Sequence, residues 1–162
     1  MKVANIRING MENPVGFDFE TVCVSWKVRE TSARRQQNAK IEVSLKEDFS
    51  EILWEKEGKD LNSAAEKLEF TRSAYTRYYV KVTVTNDKGE TAVSEPAYFE
   101  TGKMDDPWMG KWITTEKEDT FHPLFIKNFE VKKKTASARL YICGLGLFEA
   151  KLNGKKIGEE VL

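Results

Sequence analysis

The sequence predicts an all-β protein: an antiparallel sandwich, then a linker, then a second β segment that stops short of a complete sandwich. Three observations carry this. Apolar residues recur at every second position in several short runs, which gives a strand one buried face and one wet face. Asn, Asp, Gly and Pro cluster between those runs, where tight reversals need them. No long stretch with helical periodicity alternates with the strands, so a parallel sheet with covering helices is not indicated.

Taken in order, Val3 to Ile8 forms an opening strand before the turn signals Asn9-Gly10 and Asn13-Pro14. Val22, Val24, Trp26 and Val28 alternate with Cys23, Ser25 and Lys27, which places Trp26 in the core. Ile41-Val43-Leu45 alternates with Lys40, Glu42 and Ser44, and Ile52-Leu53-Trp54 makes a short strand before Gly58. Leu61 to Leu68 has helix-forming residues at Ala64 to Lys67, but an extended crossover ranks above a helix there. Tyr78, Val80, Val82 and Val84 form one face of a further strand, and the Tyr78 hydroxyl is placed to bond back to the preceding corner. Asn86-Asp87-Lys88-Gly89 then turns the chain, with glycine supplying positive φ, and Thr91 to Phe99 returns as a strand. Six or seven strands therefore precede Gly102, and the first domain is assigned to residues 1–102.

Residues 103–162 comprise a linker and the N-terminal part of a second β domain. Gly102-Lys103-Met104-Asp105-Asp106-Pro107 has linker composition. Strands are expected over Leu124 to Val131, over Ala138-Leu140-Ile142, and over Phe148-Ala150-Leu152 before the Asn153-Gly154 hairpin turn. Sixty residues of this kind leave apolar faces and strand edges without partners, so self-association through this segment is expected.

Composition excludes several classes of function. The 162 residues carry 26 basic and 26 acidic side chains, so no net field draws nucleic acid or an anionic membrane. No run approaches the roughly 18 apolar residues of a membrane span, and the polar opening Met1 to Arg7 lacks a signal peptide's apolar core. Cys23 and Cys143 lie far apart and in different segments, which favours free thiols and a cytoplasmic setting.

No catalytic motif stands out. His122, the single histidine, precedes Pro123 and suits an extended turn better than a proton relay. No Ser or Cys sits in a nucleophile elbow, and Gly144-Leu145-Gly146 lacks the third glycine and the helix of a dinucleotide loop; close backbone approach explains it better. Among 26 acids no pair is singled out for acid and base work. Lys132-Lys133-Lys134 and Arg34-Arg35-Gln36-Gln37-Asn38 suit solvated turns. No catalytic residue, metal ligand or cofactor is therefore assigned. Trp54, Trp108 and Trp112 have flat apolar faces suited to sugar rings, with core or interdomain packing as the competing role. Trp108 and Trp112 remain the candidates for substrate contact.

Several of these residues fall in a recognisable order. Trp26, Tyr78-x-Val80-x-Val82, Asn86 to Gly89, Ser94-Glu95-Pro96 and Phe99-Glu100-Thr101-Gly102 resemble a fibronectin type III domain. The continuation is more specific: Trp108-Met109-Gly110-Lys111-Trp112-Ile113, His122-Pro123-Leu124-Phe125, Phe129, Ala138 to Ile142, Gly144-Leu145-Gly146 and Leu152 to Gly158. Together they resemble the N-terminal region of bacterial α-L-rhamnosidases. That resemblance implies a fibronectin-like sandwich followed by the start of a jelly-roll domain, with an (α/α)6 barrel elsewhere in the parent enzyme removing terminal α-L-rhamnosyl groups with inversion. It implies as partners the catalytic barrel and other β domains, and a rhamnose-containing glycan. No position here matches the barrel's acids. Related sugar-binding modules use calcium, but Asp105-Asp106 and Glu159-Glu160 supply too few oxygens for it. A stand-alone carbohydrate-binding module and a fibronectin-like protein-interaction domain are the alternatives.

Overall fold

The computed structural model describes residues 1–115 and 123–158, and the chain divides into two compact units, Met1–Trp112 and Ile113–Leu162. The first unit is a β-sandwich. One sheet orders β1 (Lys2–Ile8), β3 (Cys23–Arg29) and β6 (Glu66–Lys67). The other orders β2 (Val15–Phe17), β9 (Ala97–Thr101), β7 (Arg77–Asn86), β4 (Gln36–Ser44) and β5 (Ile52–Gly58), with β8 (Thr91–Val93) also on β7. All pairings are antiparallel except β2 with β9.

The alternating residues do what their period dictates. Val24 and Trp26 from the smaller sheet, with Val22 just before β3, meet Ile41, Val43, Val80, Val82, Val84 and Phe99 from the larger, all buried. Each such side chain contributes about 1.5–3 kcal/mol on leaving water. Trp26 also satisfies its indole, donating Nε1–H to Gln36 Oε1 at 3.2 Å. The Leu61 to Leu68 crossover is extended: Ser63 O accepts the Trp26 amide and Val22 O accepts the Leu68 amide, both at 2.9 Å. No helix occurs among the described residues.

Three details depart from simple alternation. Leu45 is 53% exposed, because a register shift between Val43 and Ser44 ends the ladder and buries Ser44 in its place. Gln36, Gln37 and Asn38 belong to β4 rather than to a loop; only Arg34 and Arg35 precede it. The return from Thr91 to Phe99 is two strands, since Ser94 doubly bonds Val82 and Pro96 lacks an amide hydrogen to continue the ladder.

The second unit, described by itself, holds one hairpin, β10 (Lys151–Leu152) with β11 (Lys155–Lys156), turned by Asn153 and Gly154 at φ 49° and 78°. The turn is as expected from Asn-Gly. The strands expected over Leu124 to Val131 and Ala138 to Ile142 are not formed, and of Phe148 to Leu152 only the end is. A strand's amides and carbonyls need a neighbour, and among the described residues these runs have none. Their apolar side chains stay in solvent, as at Leu124 (82% exposed) and Ile126 (77%).

Candidate functional site

The chain leaves the sandwich through an end that is built from contacts far apart in sequence. β2 and β9 run parallel here, so Phe17 and Asp18 lie beside Thr101 and Gly102. Phe17 O accepts the Gly102 amide at 3.2 Å, and Gly102 O accepts the Tyr75 amide at 2.9 Å. A Cβ at Gly102 would overlap the Asp18 carboxylate and the Gly16 carbonyl, so only glycine passes. Beyond it, Asp18 Oδ1 accepts the Met104 amide at 3.1 Å. Lys103 Nζ donates to the Met104 and Asp106 carbonyls and lies 5.9 Å from the centre of the Trp108 ring. These ties explain why the compact unit continues past Gly102 to Trp112.

Beside this exit lies a cleft of about 350 Å³, walled by Phe17, Phe19, Arg72, Phe99 and Met104. Phe17 and Phe19 stack at 5.2 Å with rings 4° from parallel. Arg72 Nη2 donates to the Phe19 and Glu20 carbonyls at 3.0 and 3.1 Å, fixing the segment that carries both rings. Asp18, Glu20 and Asp105 line the same cleft, making it acidic around one guanidinium. Such a surface can seat apolar and hydrogen-bonding groups of a neighbouring domain; it contains no nucleophile and base pair. Among the described residues no three His, Cys, Asp or Glu side chains converge as a metal site.

The residues singled out by sequence are scattered. Trp108 is 52% exposed, with Lys103 near one face, and Trp112 is 69% exposed. Trp54 is half-buried against the core, its ring 6.2 Å from Phe70, so it does not join them in a platform. Lys132, Lys133 and Lys134 are exposed, as are Asp105 and Asp106. Gly144 sits against the Phe148 ring within a loop rather than between strands. Cys23 is half-buried on β3 and Cys143 is exposed, both as free thiols. His122, Glu159 and Glu160 lie outside the described residues. Sequence reasoning missed Phe17, Asp18, Phe19 and Arg72; the Phe17-x-Phe19 alternation was the available signal.

The family with the description "Rha78A-like, N-terminal immunoglobulin domain" matches residues 3–105, the sandwich and its exit. The chain belongs to this family. The alpha-L-rhamnosidase N-terminal domain matches residues 133–162. An alpha-L-rhamnosidase of Formosa agariphila is 29% identical over 97% of this chain and 20% of its own length. One from Alteromonas sp. (strain LOR) is 22% identical over 91% of this chain and 18% of its own. The solved alpha-L-rhamnosidase of Dictyoglumus thermophilum superposes with TM-score 0.61 and 27% identity over 71% of this chain and 14% of that one. That of Streptomyces avermitilis, complexed with L-rhamnose, gives TM-score 0.56 at 22% identity over 70% of this chain and 12% of that one, a likeness of fold. The Rha78A-like sandwich and the second unit together thus span about a fifth of the length of the curated relatives.

Proposed function

We propose that this chain is the N-terminal, non-catalytic portion of an α-L-rhamnosidase, a glycoside hydrolase whose barrel removes terminal α-L-rhamnosyl groups with inversion. The observation that carries the reading is order and coverage. An N-terminal immunoglobulin domain and a rhamnosidase N-terminal domain succeed one another along the chain, and relatives named alpha-L-rhamnosidase match over 91–97% of it. The sandwich contributes packing against the catalytic barrel and other β domains, with the Phe17–Phe19 end and the tied exit segment as the docking side. The purified chain is expected to give no turnover of an aryl α-L-rhamnoside; turnover by the chain itself, freed of host enzyme, overturns the reading.

Two finer statements rest on exposed side chains. Trp108 and Trp112 are open enough to stack on a rhamnose-containing glycan. Calorimetric titration with L-rhamnose, with and without calcium, tests this, and absence of heat with folded protein removes it. The bare apolar side chains of the second unit favour self-association, which light scattering reads directly; a strict monomer at high concentration removes it. We place the protein in the cytoplasm, which suits two free thiols.

A further inference from the structure

We propose that Asn153 is the chain's site of spontaneous modification, converting through a cyclic succinimide to isoaspartate and aspartate, and that the matching Asn9 site is protected. The sequence contains two Asn-Gly pairs, Asn9-Gly10 and Asn153-Gly154. In this reaction the glycine amide nitrogen attacks the asparagine Cγ. An N–Cγ bond forms, the Cγ–Nδ2 bond breaks, and ammonia leaves carrying the displaced amide proton. Water then opens the ring at either carbonyl, giving aspartate or a backbone longer by one carbon. Glycine offers no side chain to shield the attacking nitrogen.

Backbone geometry does not separate the two sites. Asn9 and Gly10 have φ 48° and 79°, and Asn153 and Gly154 have φ 49° and 78°. The side chains do separate them. Asn9 Nδ2 donates to Thr21 O at 2.8 Å and its Oδ1 accepts the Cys23 amide at 2.7 Å, so both ends of the amide are held away from Gly10. The turn is also closed by a reciprocal pair of 2.9 Å bonds between Ile8 and Met11, next to the β1–β3 ladder. Asn153 is exposed, and among the described residues nothing holds its side chain. Its hairpin pairs Lys151 with Lys156 and Leu152 with Lys155, extended by one backbone bond from the Ile157 amide to Ala150 O at 2.9 Å. A two-stranded hairpin of that size opens readily, which frees the Gly154 nitrogen to reach Cγ. The product places a new carboxylate among Lys151, Lys155 and Lys156 and lengthens the turn that sets their register.

The test is incubation of the full chain at mildly alkaline pH, then peptide mapping and methyl transfer to isoaspartyl carboxylates with an isoaspartyl methyltransferase. Asn153 is expected to convert at least about tenfold faster than Asn9 in the folded chain, and the two rates to converge to within about threefold in urea, where local protection is gone. Equal rates in the folded chain, faster conversion at Asn9, or no product at Asn153 each overturn the proposal. Gly154→Ala should suppress conversion at Asn153 and leave Asn9 unchanged; undiminished product at Asn153 overturns the succinimide route.

Discussion

Ser73 donates its backbone N–H to the Tyr78 hydroxyl oxygen at 2.7 Å, across the corner that leads into β7. The same ring is buried between Phe70 and Phe99, each with its centroid 5.2 Å away. One side chain therefore both fills the core and fastens the loop above it. Thr101 Oγ1, donating to Ser73 O at 2.7 Å and accepting the Thr76 amide at 2.9 Å, continues the fastening to the last strand of the sandwich.

Tyr78→Phe keeps the ring and removes the acceptor, leaving the Ser73 amide short of a partner. The expected loss is about 1–3 kcal/mol of unfolding free energy, seen as a lower urea midpoint with an unchanged slope. An unchanged midpoint would show that water replaces the hydroxyl at no cost.

Gly102→Ala drives a methyl group into Asp18 and the Gly16 carbonyl. Overpacking of this kind costs about 1–3 kcal/mol, and here it also pushes the exit segment off Asp18. Trp108 emission should shift together with the unfolding midpoint, because Lys103, which lies near the ring, moves with that segment. A stability loss with unaltered Trp108 emission would mean that the sandwich yields instead of the exit.

Trp26→Phe removes the donor to Gln36 and part of the core volume. The expected cost is about 1–3 kcal/mol. Because Trp54, Trp108 and Trp112 are all more exposed than Trp26, the emission of the folded variant should lie to the red of the parent. Coincident spectra would place the emission of Trp26 with the exposed tryptophans.

The range of each interaction decides how legible it was in the sequence. Val22, Val24 and Trp26, and Tyr78 to Val84, announce their faces because alternation is local and the core rewards it. Leu45 misleads because the shift at Ser44 depends on pairing with β5, which the local pattern does not contain. The exit end was illegible for a stronger reason. Asp18 meets Met104 and Phe17 meets Gly102 across more than eighty positions, so nothing in either segment alone signals the contact. In the second unit the alternation of Ala138, Leu140 and Ile142 is real, but alternation marks a face and does not provide a neighbouring strand. Trp108 and Trp112 were legible as open aromatics, whereas Phe17, Phe19 and Arg72 form their cleft only once β2 lies on β9.

Glu66 ties the crossover to the edge of the other sheet, accepting Lys56 Nζ and the Asn62 amide, each at 2.8 Å. Burial pushes its carboxyl upward, but the two donors and the Lys56 charge more than reverse this, leaving it below the ordinary carboxylate range. A group depressed in the folded state stabilises the fold above its unfolded pKa, and that stability disappears as pH falls through the folded value. Glu66→Gln keeps the size and an acceptor oxygen but loses the charge. The variant is therefore expected to be about 1–2 kcal/mol less stable than the parent near neutral pH, with the gap closing in strong acid, once pH has fallen through the depressed folded-state value and the carboxyl is protonated in both states. Urea unfolding of both proteins at the two pH values measures it. A gap of equal size at both would assign the contribution of Glu66 to shape and hydrogen bonding, with its charge adding nothing.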